Sequence, residues 1–263
     1  MDLEAPRRLQ LKSNEHLLLS PSAAPAGTEA PLLLTDDQPP LGVGTELHLP
    51  DAQARLQIVG VFRHPAQPED PSRSRSFWLR ALEDCAIDSG KQACRMHSAG
   101  YALAWITLSD KGARGERPDA SGPAIPDLAG QYIPLAYTRG FLIPDDPGEL
   151  KALLATLALE WRMDIICTTG GTGLTSRDIT PETTSALLDR RLPMFEHAMA
   201  AAALKATPQA VLSRAVCGVL GHSLIINLPG SPGGVRDNLE AVLPALEHTL
   251  KKIHDDPDEC HPV

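Results

Sequence analysis

The sequence predicts an α/β fold, a mostly parallel sheet with helices on both faces, preceded by a small β-rich region. Three observations carry this reading. From Tyr101 onward, short continuous apolar runs alternate with helical stretches, the pattern of a parallel sheet buried on both faces. Each apolar run ends in a polar or glycine-rich turn: Ser109-Asp110, Asp145, Gly170–Asp178 and Pro229–Ser231. Ligands of open α/β sheets bind beyond the carboxyl ends of the strands, so these turns imply one composite site. Before residue 98 the chain is instead rich in proline with brief apolar bursts. The expected organisation is therefore a β-rich region at residues 1–98 and an α/β domain at residues 99–263.

Within the first region, Leu17-Leu-Leu19, Leu32-Leu-Leu34, Glu46-Leu-His-Leu49 and Leu56–Phe62 read as strands separated by turn-rich pieces such as Ser20–Gly27. Arg63–Arg75 reads as a loop or linker, and Ser76–Ala86 has apolar residues at roughly helical spacing. In the second region, Tyr101–Leu108 is a continuous apolar strand, followed by the charged loop Lys111–Pro118 and by Asp119-Ala-Ser-Gly-Pro123. A loop of this kind can fold over a nucleotide. Ile133–Ile143 is a second strand. Asp146-Pro-Gly-Glu149 has capping-box spacing and should start a helix running to about Met163. Ile165–Thr168 is a third strand and leads into the glycine run. Thr180 reads as an N-cap with Pro181 at the first helical position, opening a helix over 180–188 that is followed by another over 194–206. Ser223–Leu228 is a fourth strand, and Ser231-Pro232 caps a last amphipathic helix to about His254.

Composition excludes several function classes. A net charge of −9 argues against a general nucleic-acid binder, which needs a basic face. No apolar run approaches the roughly 20 residues of a membrane span. The N-terminus lacks the basic-then-apolar order of a signal peptide, so a cytoplasmic location is expected. The five cysteines, at 85, 94, 167, 217 and 260, form no CxxC pair and read as reduced thiols, Cys167 as a small core residue. The nine histidines form no HxH or HExxH pattern and read as surface or core residues.

The chemistry concentrates in Cys167-Thr-Thr-Gly-Gly-Thr-Gly-Leu-Thr-Ser-Arg-Asp178. Gly170, Gly171 and Gly173 let the backbone turn sharply and approach a ligand, and successive N–H groups in such a loop form an anion-binding concavity. Asp145 and Asp178 both follow strands expected to be neighbours. Two carboxylates beside a phosphate loop suit Mg²⁺, a hard cation that shares its shell with substrate phosphates. Ser213-Arg214 offers a hydroxyl and a cation to an anion site.

Seven motifs in order resemble the molybdopterin adenylyltransferase family, the MogA-like proteins that include the G domains of plant Cnx and animal gephyrin. They are Thr107-Leu-Ser-Asp110, Ser121-Gly-Pro123, Ile143-Pro-Asp145, Thr168-Thr-Gly-Gly-Thr-Gly173, Arg177-Asp-Ile-Thr-Pro-Glu182, Leu212-Ser-Arg214 and Ile226-Asn-Leu-Pro-Gly-Ser-Pro232, spread over residues 101–256. Gly170-Gly-Thr-Gly173 stands where the related molybdotransferases look serine-rich, and the continuation Leu174-Thr-Ser-Arg-Asp178 resembles the adenylyltransferases more than the CinA-like proteins. The resemblance implies Mg²⁺-dependent transfer of AMP from ATP to molybdopterin by a homotrimer, with handover to a molybdate-inserting enzyme. It implies catalytic and Mg²⁺-holding roles for Asp145 and Asp178. It further implies substrate or nucleotide contacts for Ser109, Asp110, Ser121, Gly122, Thr169, Gly170, Gly171, Thr172, Gly173, Ser213, Arg214, Pro229 and Gly230. The competing reading is a non-catalytic carrier or scaffold for molybdopterin. In the N-terminal region, Gly44–Leu49 and Ala54–Gly60 resemble the end of a MOSC sulfur-carrier domain. Where that family has its cysteine this chain reads Val61-Phe-Arg-His-Pro65, so the expected role is structural or partner-docking.

Overall fold

The structure is a computed structural model of the chain and describes residues 1–21, 31–35, 41–63 and 75–255. Residues 64–74 of the loop expected over Arg63–Arg75, most of the turn-rich piece at 20–27, and Cys260 lie outside the described residues; Arg63 and Arg75 themselves are strand residues. The chain forms two compact units, Met1–Gly100 and Tyr101–Val263.

Among the described residues, the regular elements of the first unit are all strands: β1 (Asp2–Ala5), β2 (Leu9–Leu11), β3 (His16–Pro21), β4 (Leu32–Leu34), β5 (Glu46–Leu49), β6 (Ala54–Arg63), β7 (Arg75–Ala81), β8 (Cys85–Ile87), β9 (Gly90–Ala93) and β10 (Arg95–His97). Eight of these form one sheet in the order β10-β5-β6-β7-β3-β4-β1-β9, and β2 pairs with β8. Its core is built by alternation. Leu17 and Leu19 of β3, Leu56 and Ile58 of β6, and Phe77 and Leu79 of β7 point inward and are all buried. The helix expected over Ser76–Ala86 is therefore corrected to strands. Phe77, Leu79 and Ala81 are buried while Trp78 is exposed and Arg80 half-buried, a period of two that places Leu79 opposite Leu17.

The second unit holds a six-stranded sheet in the order β12-β11-β13-β16-β15-β14. Its strands are β11 (Tyr101–Leu108), β12 (Leu135–Ile143), β13 (Ile165–Thr169), β14 (Arg190–Arg191), β15 (Cys217–Leu220) and β16 (Ser223–Leu228). β12, β11, β13 and β16 run parallel, and β14 and β15 add antiparallel strands at one edge. Its helices are α1 (Asp110–Ala113), α2 (Ala124–Ala129), α3 (Pro147–Ala155), α4 (Thr180–Ser185), α5 (Pro193–Ala206), α6 (Pro232–Glu240) and α7 (Leu246–Ile253). On one face, Leu103, Ile165, Cys167, Leu224 and Ile226 pack with Ile125 of α2, Val235 and Leu239 of α6 and Leu250 of α7. Residues of the opposite parity, Ala104, Ile106, Ile166 and Ile225, are also buried, as are Leu150 and Leu154 of α3. Burial on both faces explains why these strands read as unbroken apolar runs.

Register positions the site. Leu108 pairs with Ile143, Thr107 with Thr169, and Thr169 with Leu228, so four strands end in line. Asp145 and Asp178 do not follow neighbouring strands as expected, because β11 lies between β12 and β13. Their loops converge across β11 instead. Asp146 caps α3 by accepting from the Glu149 N–H at 2.8 Å, but the α-helix ends at Ala155 in a π-helical turn over Thr156–Glu160. Thr180 is not an N-cap. It is the first helical residue after Ile179, and its side chain makes no capping bond. The final helix is broken into α6 and α7, with Ser231 capping α6 as expected. No helix among the described residues is long and apolar enough to cross a membrane.

Candidate active site

The end of β11 is tied to two other loops by side-chain hydrogen bonds. Thr107 donates its hydroxyl to Asp119 Oδ2 at 2.6 Å. Asp119 Oδ1 accepts the N–H groups of Ser121 and Gly122 at 3.1 and 2.9 Å. Ser121 in turn donates its hydroxyl to the Gly230 carbonyl at 2.8 Å. Thr169 does the same to the Pro229 carbonyl at 2.7 Å. Gly122 is required by contact rather than by dihedral angle. A Cβ there would lie 2.4 Å from both Asp119 Oδ2 and Trp105 Nε1. The indole of Trp105 is also closed in by Gly140, where a Cβ would lie 2.3 Å from Trp105 Cζ2.

The glycine run turns on two left-handed residues, Gly170 at φ 102° and Gly171 at φ 63°. The Gly170 N–H is committed to the Leu228 carbonyl at 3.1 Å, and the Thr180 N–H closes on the Gly171 carbonyl at 3.0 Å. The buried Thr180 hydroxyl donates to the Gly170 carbonyl at 2.9 Å. Among the described residues, the N–H groups of Gly171 and Thr172 find no acceptor. They are the two adjacent donors of this turn that remain for an anion. Arg214 holds the loop from behind. Its Nε donates to the Gly173 carbonyl at 2.7 Å, Nη2 to the Asp178 carbonyl at 2.8 Å, and Nη1 pairs with Glu182. A guanidinium so committed clamps the loop.

Three carboxylates gather at the strand ends. Asp145 donates its N–H to Asp110 Oδ1 at 3.0 Å, and Asp110 returns its N–H to Asp145 Oδ2 at 3.4 Å. Arg177 pairs through one nitrogen, Nη2, with both Asp110 and Asp145. Burial, and then the charge of Asp178, hold the Asp145 carboxyl above the usual range. Asp178 goes the other way. Burial pushes it up, but the hydroxyl and N–H of Thr175 and the N–H of Gly173 outweigh that and hold it below the usual range. Neighbouring carboxyl groups pushed in opposite directions at a cavity are candidates for functional groups. Among the described residues no group of three or more His, Cys, Asp or Glu is arranged to hold a metal. Mg²⁺ needs only one or two carboxylates beside waters and phosphates. Asp110 and Asp145, whose oxygens share one cationic nitrogen, could supply that pair; Asp178, the second ligand expected from the sequence, spends its carboxylate on Thr175 and Gly173 instead.

Comparison with known proteins decides the family. Residues 104–248 match the family described as "Probable molybdopterin binding domain". This chain belongs to that family. The molybdopterin adenylyltransferase of Helicobacter pylori strain J99 is 38% identical over 150 residues, covering 56% of this chain and 85% of the relative. The crystal structure of the molybdopterin biosynthesis enzyme MoaB from Thermus thermophilus is 46% identical. It superposes with a TM-score of 0.55, covering 60% of this chain and 99% of that one. The tungsten cofactor synthesizing protein MoaB from Pyrococcus furiosus is 34% identical with a TM-score of 0.52, over 60% of this chain and 99% of that one.

Within this molybdopterin-binding domain, most residues singled out from the sequence line two cavities, while Arg214 and Asp178 border a third of about 480 Å³. Ser109, Ser121, Asp145, Thr169, Gly170, Gly171, Asp178 and Gly230 line one of about 360 Å³. Thr172, Gly173, Ser213 and Pro229 line another of about 500 Å³, walled by Met199 and Ala203 of α5 and by Asn238 of α6. Asp110 reaches the first through Arg177. Gly122 packs behind its wall against Trp105, and Arg214 supports the loop. Ser109 caps the short helix α1, accepting from the Gly112 N–H at 3.1 Å. Thr107, Asp119, Arg177 and Thr180 are visible in the sequence as parts of motifs, loops or caps, but not as site residues. The pairing of Thr107 with Asp119 carries no local signal, because the two are apart in sequence and meet only when the loop folds back. Cys167 is buried, and burial pushes its thiol up to about 12, as suits an inert core residue.

Proposed function

We propose that this chain adenylylates molybdopterin as a step of molybdenum cofactor biosynthesis, taking AMP from ATP and releasing pyrophosphate. An oxygen of the molybdopterin phosphate forms the new bond to the α-phosphorus of ATP, and the bond from that phosphorus to pyrophosphate breaks. The observation that carries the reading is the placement of the glycine loop. Gly170 and Gly171 border the acidic cavity and Thr172 and Gly173 the more apolar one. Two phosphate-bearing substrates seated in the two cavities would meet at the loop, and both volumes are of the size small-molecule sites have. The name of the Helicobacter pylori relative, molybdopterin adenylyltransferase, supports the same chemistry.

The chain's own groups have distinct tasks in this reading. The N–H groups of Gly171 and Thr172 receive phosphate oxygens. Thr180, Arg214 and Asp178 hold those donors in place, so that little reorganisation accompanies charge development. Asp145 and Asp178 are the catalytic carboxylates, and Asp145 with Asp110 would hold Mg²⁺. When bound, Mg²⁺ supplies charge neutralisation at phosphate oxygens. A protein that merely carried the pterin phosphate would bind it more easily without three nearby carboxylates, which disfavours the carrier reading. A homotrimer, a cytoplasmic location and handover of the product to a molybdate-inserting enzyme complete the proposal. The test is incubation of the full chain with molybdopterin, ATP and Mg²⁺. Adenylylated pterin and pyrophosphate should appear in equal amounts. Pterin binding without pyrophosphate release would favour the carrier.

A further inference from the structure

We propose that Arg177 is a built-in competitor for the divalent cation, taking the same two carboxylates as the metal and released toward substrate phosphate when the metal arrives. The inference rests on the functional reading above, in which Asp110 and Asp145 hold the cation. One guanidinium nitrogen pairs with both carboxylates. Those carboxylates are held by each other's backbones, each accepting the other residue's N–H, so their oxygens face one position whichever cation fills it. Mg²⁺ held by these oxygens at about 2.1 Å would sit beside the guanidinium that pairs with them, and the two positive charges repel.

Release is easy in physical terms. The Arg177 side chain is 61% exposed while those of Asp110 and Asp145 are 22% and 17% exposed. The neighbouring backbone is held by Asp178 through the Thr175 N–H at 2.8 Å, so only the side chain needs to turn. Arg177 also lines the cavity bordered by Gly170 and Gly171. Once freed, its planar fork of donors suits a phosphate better than any lysine would. A phosphate that draws Arg177 away raises cation affinity, and the coupling is reciprocal. Cation and nucleotide would then enter together, and a cation alone would bind weakly.

The test uses the full-length protein without nucleotide, with Mn²⁺ as the probe read by electron paramagnetic resonance, beside the variants Arg177→Met and Arg177→Lys. Two partly exposed pairs of ordinary strength predict Mn²⁺ binding about threefold to thirtyfold tighter in R177M, with R177K between it and the parent. Titration of Mg²⁺ into nitrogen-15-labelled parent protein should move the Arg177 Nε–H resonance with the same midpoint as cation binding, independently of any variant. Equal or weaker Mn²⁺ affinity in a folded R177M, or an Arg177 resonance indifferent to Mg²⁺, overturns the competition while leaving the cation site intact. Absence of Mn²⁺ binding in both the parent and R177M overturns the cation site itself and the competition with it.

Discussion

Asp119 is the residue whose loss should most clearly separate the architecture of the site from its chemistry. Its carboxylate accepts three hydrogen bonds, from the Thr107 hydroxyl and from the Ser121 and Gly122 N–H groups, at 2.6, 3.1 and 2.9 Å. Thr107 and Ser121 are buried, so Asp119→Ala leaves donors stranded. Bonds to a charged acceptor contribute about 1.5–3 kcal/mol each, but these share one acceptor and cannot be summed. A loss of about 3 kcal/mol from the second unit is expected. Asp119→Asn keeps an oxygen for the two N–H groups and lets the Thr107 hydroxyl turn to accept, so about 1 kcal/mol is expected. The assay is urea unfolding followed by tryptophan fluorescence in a Trp78→Phe background. Trp105 and Trp161 are then the remaining tryptophans, and both belong to the second unit. Because the link from Ser121 to Gly230 depends on the same turn, KM should rise in both variants. A stability for D119A within about 0.5 kcal/mol of its parent would refute the reasoning, since surface substitutions away from such features stay in that range.

Three further outcomes are expected. Asp178→Asn removes the like charge that adds to burial in raising Asp145, so the Asp145 carboxyl should titrate at lower pH by carbon-13 NMR while staying above the usual range. A raised carboxyl binds its proton more tightly folded than unfolded, so stability falls as pH rises from the unfolded to the folded value, and D178N should shrink that fall. Gly171→Val should disrupt the loop before any ligand is considered. A Cβ there lies 2.5 Å from Thr180 Oγ1 at φ 63°, so calorimetry should show weakened pterin binding together with a lowered Tm, and unchanged values of both would remove the loop from the site. A chain starting near Ser98 should be soluble and retain molybdopterin-dependent ATP turnover. A truncated protein that is folded by circular dichroism yet inactive would show that the N-terminal residues complete the site.

The parallel sheet was legible because β11, β13 and β16 are buried on both faces and so read as continuous apolar runs. Their glycine and aspartate endings pointed to one end of the sheet for the same reason. Strand order was not legible. Nothing local in Ile133–Ile143 or Ile165–Thr168 says that β11 lies between them, since that order is set by crossovers and not by either segment. The short strand Cys217–Leu220 was missed because it gains its place only by pairing with β16 across the turn at Gly221-His222. Ser76–Ala86 was misread through its apolar content, although the alternation of Phe77, Leu79 and Ala81 was present in the letters. Arg214 was legible as a cation near the site but not as a clamp. Its partners are the carbonyls of Gly173 and Asp178, and backbone acceptors leave no trace in side-chain identity.

The most direct measurement is pyrophosphate release by full-length Asp145→Asn, with pterin affinity measured on the same preparation. The substitution keeps the shape of the group, leaves an oxygen for the Asp110 N–H, and keeps its own N–H on Asp110. Folding and molybdopterin affinity near those of the parent, with turnover lost by at least about a hundredfold, is the predicted result for a carboxylate that acts on the phosphates in the transition state. Near-parental turnover in D145N would contradict an adenylyl transfer centred on these strand ends.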